Sequence, residues 1–157
     1  MNKKTGAIAA LLEEYQKAII ELQNTITNIN SEKLSVIVDN QTTDLNCKSI
    51  QSILTHVIGS GYSYCVYIRN HKGKMDTRPD KILKSTTEEY IEDLNKVFDY
   101  TCETFTDIEN NELEEYDNAK KIKTMWGQYY DIEQLMEHAI VHILRHRRQI
   151  ELYKKKI

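Results

Sequence analysis

At 157 residues, with 40% hydrophobic and 29% charged side chains, the chain has the composition of one globular domain with room for a buried core. Its formal charge of −3 gives no general attraction to nucleic acid, and no run approaches the ~18–20 apolar residues that a membrane span requires. One proline and five glycines leave too few turn formers for an all-β fold.

The first stretch, MNKKTGAIAALLEEYQ, is basic and then apolar, but two glutamates interrupt the apolar run, so it reads as a helix start and not as a signal peptide. Ile8, Leu12, Tyr15, Ile19, Leu22, Ile26 and Ile29 alternate at spacings of four and three, the seam that a bundle helix turns toward its neighbours. A first helix is therefore predicted over 6–29. The polar stretch NSEKLSVIVDNQTTDLN follows, and a second helix is predicted over 47–71, with Ile50, Ile53, Leu54, Val57, Ile58, Cys65 and Ile68 on one side. NHKGKMDTRPDKILK, which holds the only proline, Pro79, reads as a loop.

A third helix opens at Thr86, where Thr86 and Glu89 have the spacing of a capping box. Tyr90, Leu94, Val97, Cys102 and Phe105 continue its apolar face. The connection after it is long and acidic at first; its second half, around Trp126–Gly127, fits a short hairpin or an ordered loop. A fourth helix begins near Asp131, with Asp131 and Gln134 as a further capping pair, and runs to the C-terminus. The basic tail, RHRRQIELYKKKI, reads as the favourable cationic end of that helix. The expectation is an all-α, single-domain four-helix bundle over 1–157, whose long connections leave the order of the helices open. Cys47, Cys65 and Cys102 are an odd count without CxxC spacing, which suggests reduced thiols in a cytoplasm.

His138, His142 and His146 stand at strict four-residue spacing, three of the chain's five histidines on one predicted helix. Residues four apart on a helix are neighbours offset by about 40°, with Cβ atoms ~5–6 Å apart, so two such imidazoles can grip one ion whose Zn–N bonds are ~2.0–2.1 Å. His138 and His146 lie about 12 Å apart along the axis, too far to share an ion easily. On the helical wheel Met136, Ala139, Ile143 and Ile150 mark the core direction; His146 is nearest to it, His142 next, and His138 nearest solvent. The chelating pair is thus His142 and His146, with His138 a bystander or an outer neighbour. A third ligand must come from another helix, and His56, mid-helix in SILTHVIGSGYSY, is the candidate. It sits at the edge of the apolar face beside Ser49, Ser60 and Tyr67, as a group at a pocket mouth would. His71, at the loop end, reads as a surface residue. The competing reading is a packed, hydrogen-bonded stripe of histidines that holds no metal.

HAIVHILRHRRQI resembles the C-terminal signature HxxxHxxxHRxQ of the DinB/YfiT-like family. SIQSILTHVI resembles the partner stretch in the family's second helix, and WGQYYDIEQLMEH its lead-in to the last, so the resemblance covers essentially the whole chain. It implies a four-helix bundle with three histidines around a divalent metal; by position these are His56, His142 and His146, the set that spacing and the wheel also reach. His138 occupies the first histidine of the signature, which is not usually a ligand. Arg147 and Gln149 occupy its HRxQ positions, and Arg148 stands where a small residue is common. Related families include transferases that use low-molecular-weight thiols such as bacillithiol or mycothiol. The resemblance therefore implies a homodimeric, metal-dependent thiol S-transferase acting on small electrophiles. It leaves open a metal-dependent hydrolase, and a non-catalytic, metal-stabilised bundle serving as a stress-response or binding module. Three imidazoles suit zinc or nickel first, and also iron or copper. The sequence identifies no catalytic residue and contains no GxSxG, P-loop or GxGxxG pattern. The expected partner is a small-molecule thiol or electrophile; neither nucleic acid nor a membrane is expected. Trp126, Tyr129 and Tyr130, with Tyr62, Tyr64 and Tyr67, either line a substrate pocket or are ordinary core and loop packing.

Overall fold

The computed structural model describes residues 4–157. The chain is mostly helical: α1 spans Gly6–Ile26, α2 Ser31–Leu34, α3 Ile50–His71, α4 Thr87–Thr104 and α5 Ile132–Lys154. Between α4 and α5 lie two short strands, β1 at Ile122–Lys123 and β2 at Tyr129–Tyr130. Among the described residues no helix is long and apolar enough to cross a membrane.

The starts of the long helices follow from local chemistry. Ser49 caps α3 and exchanges hydrogen bonds with Ser52, Thr86 caps α4 with Glu89, and Asp131 caps α5 with Gln134. Each box satisfies two backbone N–H groups that the first helical turn leaves unpaired. The ends differ more from expectation. α1 stops three residues before Ile29, because the Thr27 hydroxyl bonds back to the Gln23 carbonyl and the Ile29 N–H closes a tight turn onto Ile26. Ile29 is still buried, so the seam outlasts the helix. Within the polar stretch that followed, the Asn30 side chain caps the short α2, and Asp44 caps a 3₁₀ turn at Leu45–Cys47. α3 therefore starts at Ile50, not at Cys47.

The region around Trp126–Gly127 is a hairpin: Ile122 pairs with Tyr130 and Lys123 with Tyr129, antiparallel. Gly127 sits at φ +85° in its turn, a conformation an L side chain rarely adopts. The Thr124 N–H and hydroxyl both donate to the Gln128 carbonyl and close the turn.

α1 packs on α4 and α5, and α3 packs on the same two helices, so α1 and α3 stand diagonally opposite each other. One contiguous core fills the space between them. Tyr15, Tyr90 and Phe105 are its largest fully buried side chains, surrounded by Ile8, Leu22, Ile50, Leu54 and Ile68. Burying each aliphatic side chain of this kind contributes about 1.5–3 kcal/mol. The expected faces are occupied with three exceptions: Leu12 and Ile58 lie half-buried, and Thr101 takes the interior place on α4 while Cys102 is half-buried. Thr101 satisfies its hydroxyl on the Val97 carbonyl and lies 3.2 Å from the buried Cys65 thiol. All three cysteines are free. At the crossing of α3 with α4, Gly61 admits Val97 so closely that a Cβ there would lie 2.5 Å from its Cγ1. The direct packing of α3 on α5 is what brings His56 opposite the histidine row.

Candidate metal centre

His142 and His146 sit one turn apart on α5, and His56 meets both from α3. The ring centroids form a near-equilateral triangle: His142–His146 4.5 Å, His56–His142 4.9 Å and His56–His146 5.0 Å. Nε2 of His56 lies 3.0 Å from Nε2 of His142. One ring nitrogen from each of the three falls within 4.8 Å of the others. His146 is buried, while His56 and His142 are half-buried at the edge of the core.

His138 stands apart from this triangle. Its ring centroid is 6.3 Å from that of His142, it stacks on Trp126 at 5.5 Å, and its Nδ1 lies 3.4 Å from the Tyr130 hydroxyl. His71 is exposed, as expected.

The triad is neutral at physiological pH. Burial, reinforced by the neighbouring imidazoles, pushes His142 down to about 3; burial and the adjacent His146 push His56 down to about 4. Burial also lowers His146, although its hydrogen bond to Gln149 partly offsets the effect. Three neutral imidazoles present lone pairs to a common point, the donor chemistry that a divalent transition metal requires. A second feature fits a metal. His56 and His142 turn the same ring atom, Nε2, toward each other at 3.0 Å, so both ligating nitrogens point into one space. With an ion at the centre, the Nε2–Nε2 approach becomes the gap between two ligands of one sphere, ~3.3 Å for tetrahedral Zn–N bonds of ~2.0–2.1 Å.

Two further groups shape the site, one of them, Gln149, known from the sequence only as a position in the HRxQ signature. Gln149, three residues beyond His146 on the same helix, accepts the His146 Nδ1–H at 3.0 Å. That bond fixes the tautomer and leaves Nε2 with its lone pair. Gln149 is anchored in turn: its amide donates to the Tyr153 hydroxyl at 3.4 Å, and that hydroxyl donates to the Cys47 carbonyl at 2.6 Å. The spacing of His146 and Gln149 was visible in the sequence; the direction of the ring was not. Asp44, the cap of the 3₁₀ turn, lies close enough to favour protonation of both His56 and His146. Arg147, in the same signature, faces away and pairs with Glu21 on α1, while Lys154 donates to the Thr25 carbonyl. The basic tail thus also ties α5 to α1.

A cavity of about 500 Å³ opens against the triad. His56 and His142 line it together with His138, and His146 closes the triangle from behind. Of the six aromatic residues in question, Tyr64, Tyr67 and Trp126 line it. Tyr62 packs on Tyr100 instead, Tyr130 backs Trp126 and His138, and Tyr129 lies half-exposed on the hairpin. The hairpin is pinned over the cavity where the Met125 N–H donates to the Tyr67 hydroxyl at 2.9 Å. Arg78 and Lys81, from the loop between α3 and α4, complete the rim.

Comparison with known proteins places this geometry in a family. The sequence profile of the DinB family matches residues 1–156. No curated protein and no solved structure gave a match.

Proposed function

The chain belongs to the DinB family, and from that premise we propose that it is a divalent-metal protein whose ligands are His56, His142 and His146, and that a small-molecule thiol is activated there for transfer to a small electrophile. The observation that carries this reading is the convergence itself: three imidazoles from two neighbouring helices bring one nitrogen each within 4.8 Å, and two of those rings also line a cavity. We read the four long helices as a four-helix bundle, a fold that builds metal sites from side chains on facing helices.

Three neutral ligands leave the charge of an ion uncompensated and a fourth position open. A divalent ion held there supplies Lewis acidity, which makes a thiol or a water at the open position acidic enough to be a nucleophile near neutral pH. The chain's own residues do the rest. Gln149 holds His146 in one tautomer, and the capped start of α5 fixes the register that sets His142 opposite His56. Tyr64, Tyr67 and Trp126 shield one side of the cavity from water, and Ser60 supplies a hydroxyl in the wall. Zinc and nickel suit this donor set best.

The border with a cavity favours a reacting centre over a closed structural clamp, and dependence on added thiol separates transfer from hydrolysis. The test is elemental analysis of protein purified without a histidine tag, followed by incubation of the metal-loaded protein with a panel of low-molecular-weight thiols and a fluorogenic bimane electrophile. Metal-dependent conjugation that disappears in His56→Ala supports transfer. Metal binding with conjugation no faster than the protein-free rate across the panel removes it.

A further inference from the structure

The chain carries 24 acidic and 21 basic residues, yet no acidic side chain lines the cavity beside the histidines, whereas Arg78 and Lys81 both do. Among the described residues neither cation forms an ion pair with a carboxylate. Their hydrogen bonds are weak and neutral, from Arg78 to the Pro79 carbonyl at 3.3 Å and from Lys81 to Asn46 Oδ1 at 3.4 Å. Asp44, the acidic group nearest to Lys81 in effect, is engaged elsewhere: it accepts from the Asn46 N–H and from the Cys47 thiol.

Lys81 is also held in place. Its stem lies across Gly59 of α3, with Cε 2.9 Å from where a Cβ would stand, so the glycine lets the lysine lie flat along the helix. In the same lining, Trp126 and Tyr64 meet edge to face at 6.4 Å and form an aromatic wall. A volume of about 500 Å³ is in the range of pockets that enclose a small organic ligand.

We infer that this cavity takes a small organic anion, with its carboxylate between Arg78 and Lys81, its apolar or aromatic body on Trp126 and Tyr64, and its far end reaching His56 and His142. Two neighbouring like charges, neither ion-paired to a carboxylate, are unfavourable until an anion joins them, and the aromatic wall supplies the apolar contact that turns charge attraction into selectivity for a particular shape. The inference deepens the metal-site reading and rests on it only for which end of the ligand meets the histidines; the anion-binding half depends on the loop cations alone.

The chain's single tryptophan, Trp126, lies in the wall and reports occupancy through its fluorescence. The probes are 3-phenylpropionate and its neutral amide, titrated into metal-free and zinc-loaded protein, with calorimetry alongside. The expected result is binding of the carboxylate at least roughly tenfold tighter than the amide, equivalent to ~1.4 kcal/mol, in both forms, and weakening with salt. The double variant Arg78→Gln, Lys81→Met keeps the stem over Gly59. It should lose the preference while binding zinc with unchanged stoichiometry. Failure of the parent to bind either probe, equal binding of the two, or a preference that survives in the double variant overturns the inference. A protein that takes no zinc but still prefers the carboxylate sinks the metal reading and leaves this one standing.

Discussion

His56 on α3 and His142 on α5 face each other with their Nε2 atoms 3.0 Å apart, although 86 residues separate them in the chain. Two neutral imidazoles can share one proton across that gap, but a single shared proton engages only two of the three rings that converge there. With His146 as the third corner, the pair has the form of a chelate rather than of a hydrogen-bonded stripe.

Gln149 acts through His146. It fixes the ring that it bonds and is itself fixed by Tyr153. Gln149→Ala should weaken metal affinity by about 10–100-fold, the usual loss when an outer hydrogen bond to a ligand is removed. Stoichiometry at saturating metal should not change. Competition with a coloured chelator measures this, and parental affinity in the variant would mean that Gln149 only packs.

Acid should destabilise the metal-free protein. An unfolded histidine titrates near ~6.5, whereas His56 and His142 are held down at about 4 and about 3 in the fold. Below the unfolded value the unfolded chain takes up protons that the folded triad refuses, so stability is full above ~6.5 and is lost as pH falls toward the folded values. The triad titrates as a coupled unit, so one broad transition is expected. Urea midpoints of the metal-free protein should fall between about pH 7 and about pH 5, and that loss should shrink in a His56→Ala, His142→Ala double variant. A parental midpoint independent of pH over that window would contradict the neutral triad.

Gly61→Ala should destabilise the fold. Alanine gains about 1 kcal/mol of helix propensity over glycine, but its Cβ would stand 2.5 Å from Val97 Cγ1 and 3.0 Å from the Tyr15 hydroxyl. Overpacking typically costs about 1–3 kcal/mol, and β-branched Val97 has little rotamer freedom with which to retreat. A lowered thermal midpoint is expected; a raised one would show that α3 and α4 separate at little expense.

What could be read from the sequence was local. The capping boxes at Thr86 and Asp131 are four-residue patterns, and the histidine row is a single-helix periodicity, so neither needs tertiary information. His56 was within reach because a polar ring in mid-helix must be placed somewhere. The diagonal placement of α1 and α3 was not legible, because long connections permit either order and side-chain packing decides between them. The rim was equally hidden. Arg78 and Lys81 belong to a loop without periodicity, and tertiary contacts, among them the Lys81 stem over Gly59 and the Gln51 amide on the Lys84 carbonyl, bring that loop to the cavity. The early end of α1 was missed because Ile29 keeps the apolar rhythm after the backbone has turned.

The central claim is that His56, His142 and His146 hold one divalent ion and His138 does not. Zinc stoichiometry and affinity of the four single histidine-to-alanine variants test it most directly, by equilibrium dialysis with elemental analysis. The account predicts one ion per chain for the parent and for His138→Ala, and loss of binding when any corner of the triangle is removed. Loss in His138→Ala with retention in His146→Ala would move the chelate to the other pair on α5. A parent that binds no ion, or four variants that all bind as it does, would reduce the row to a buried stripe of neutral histidines.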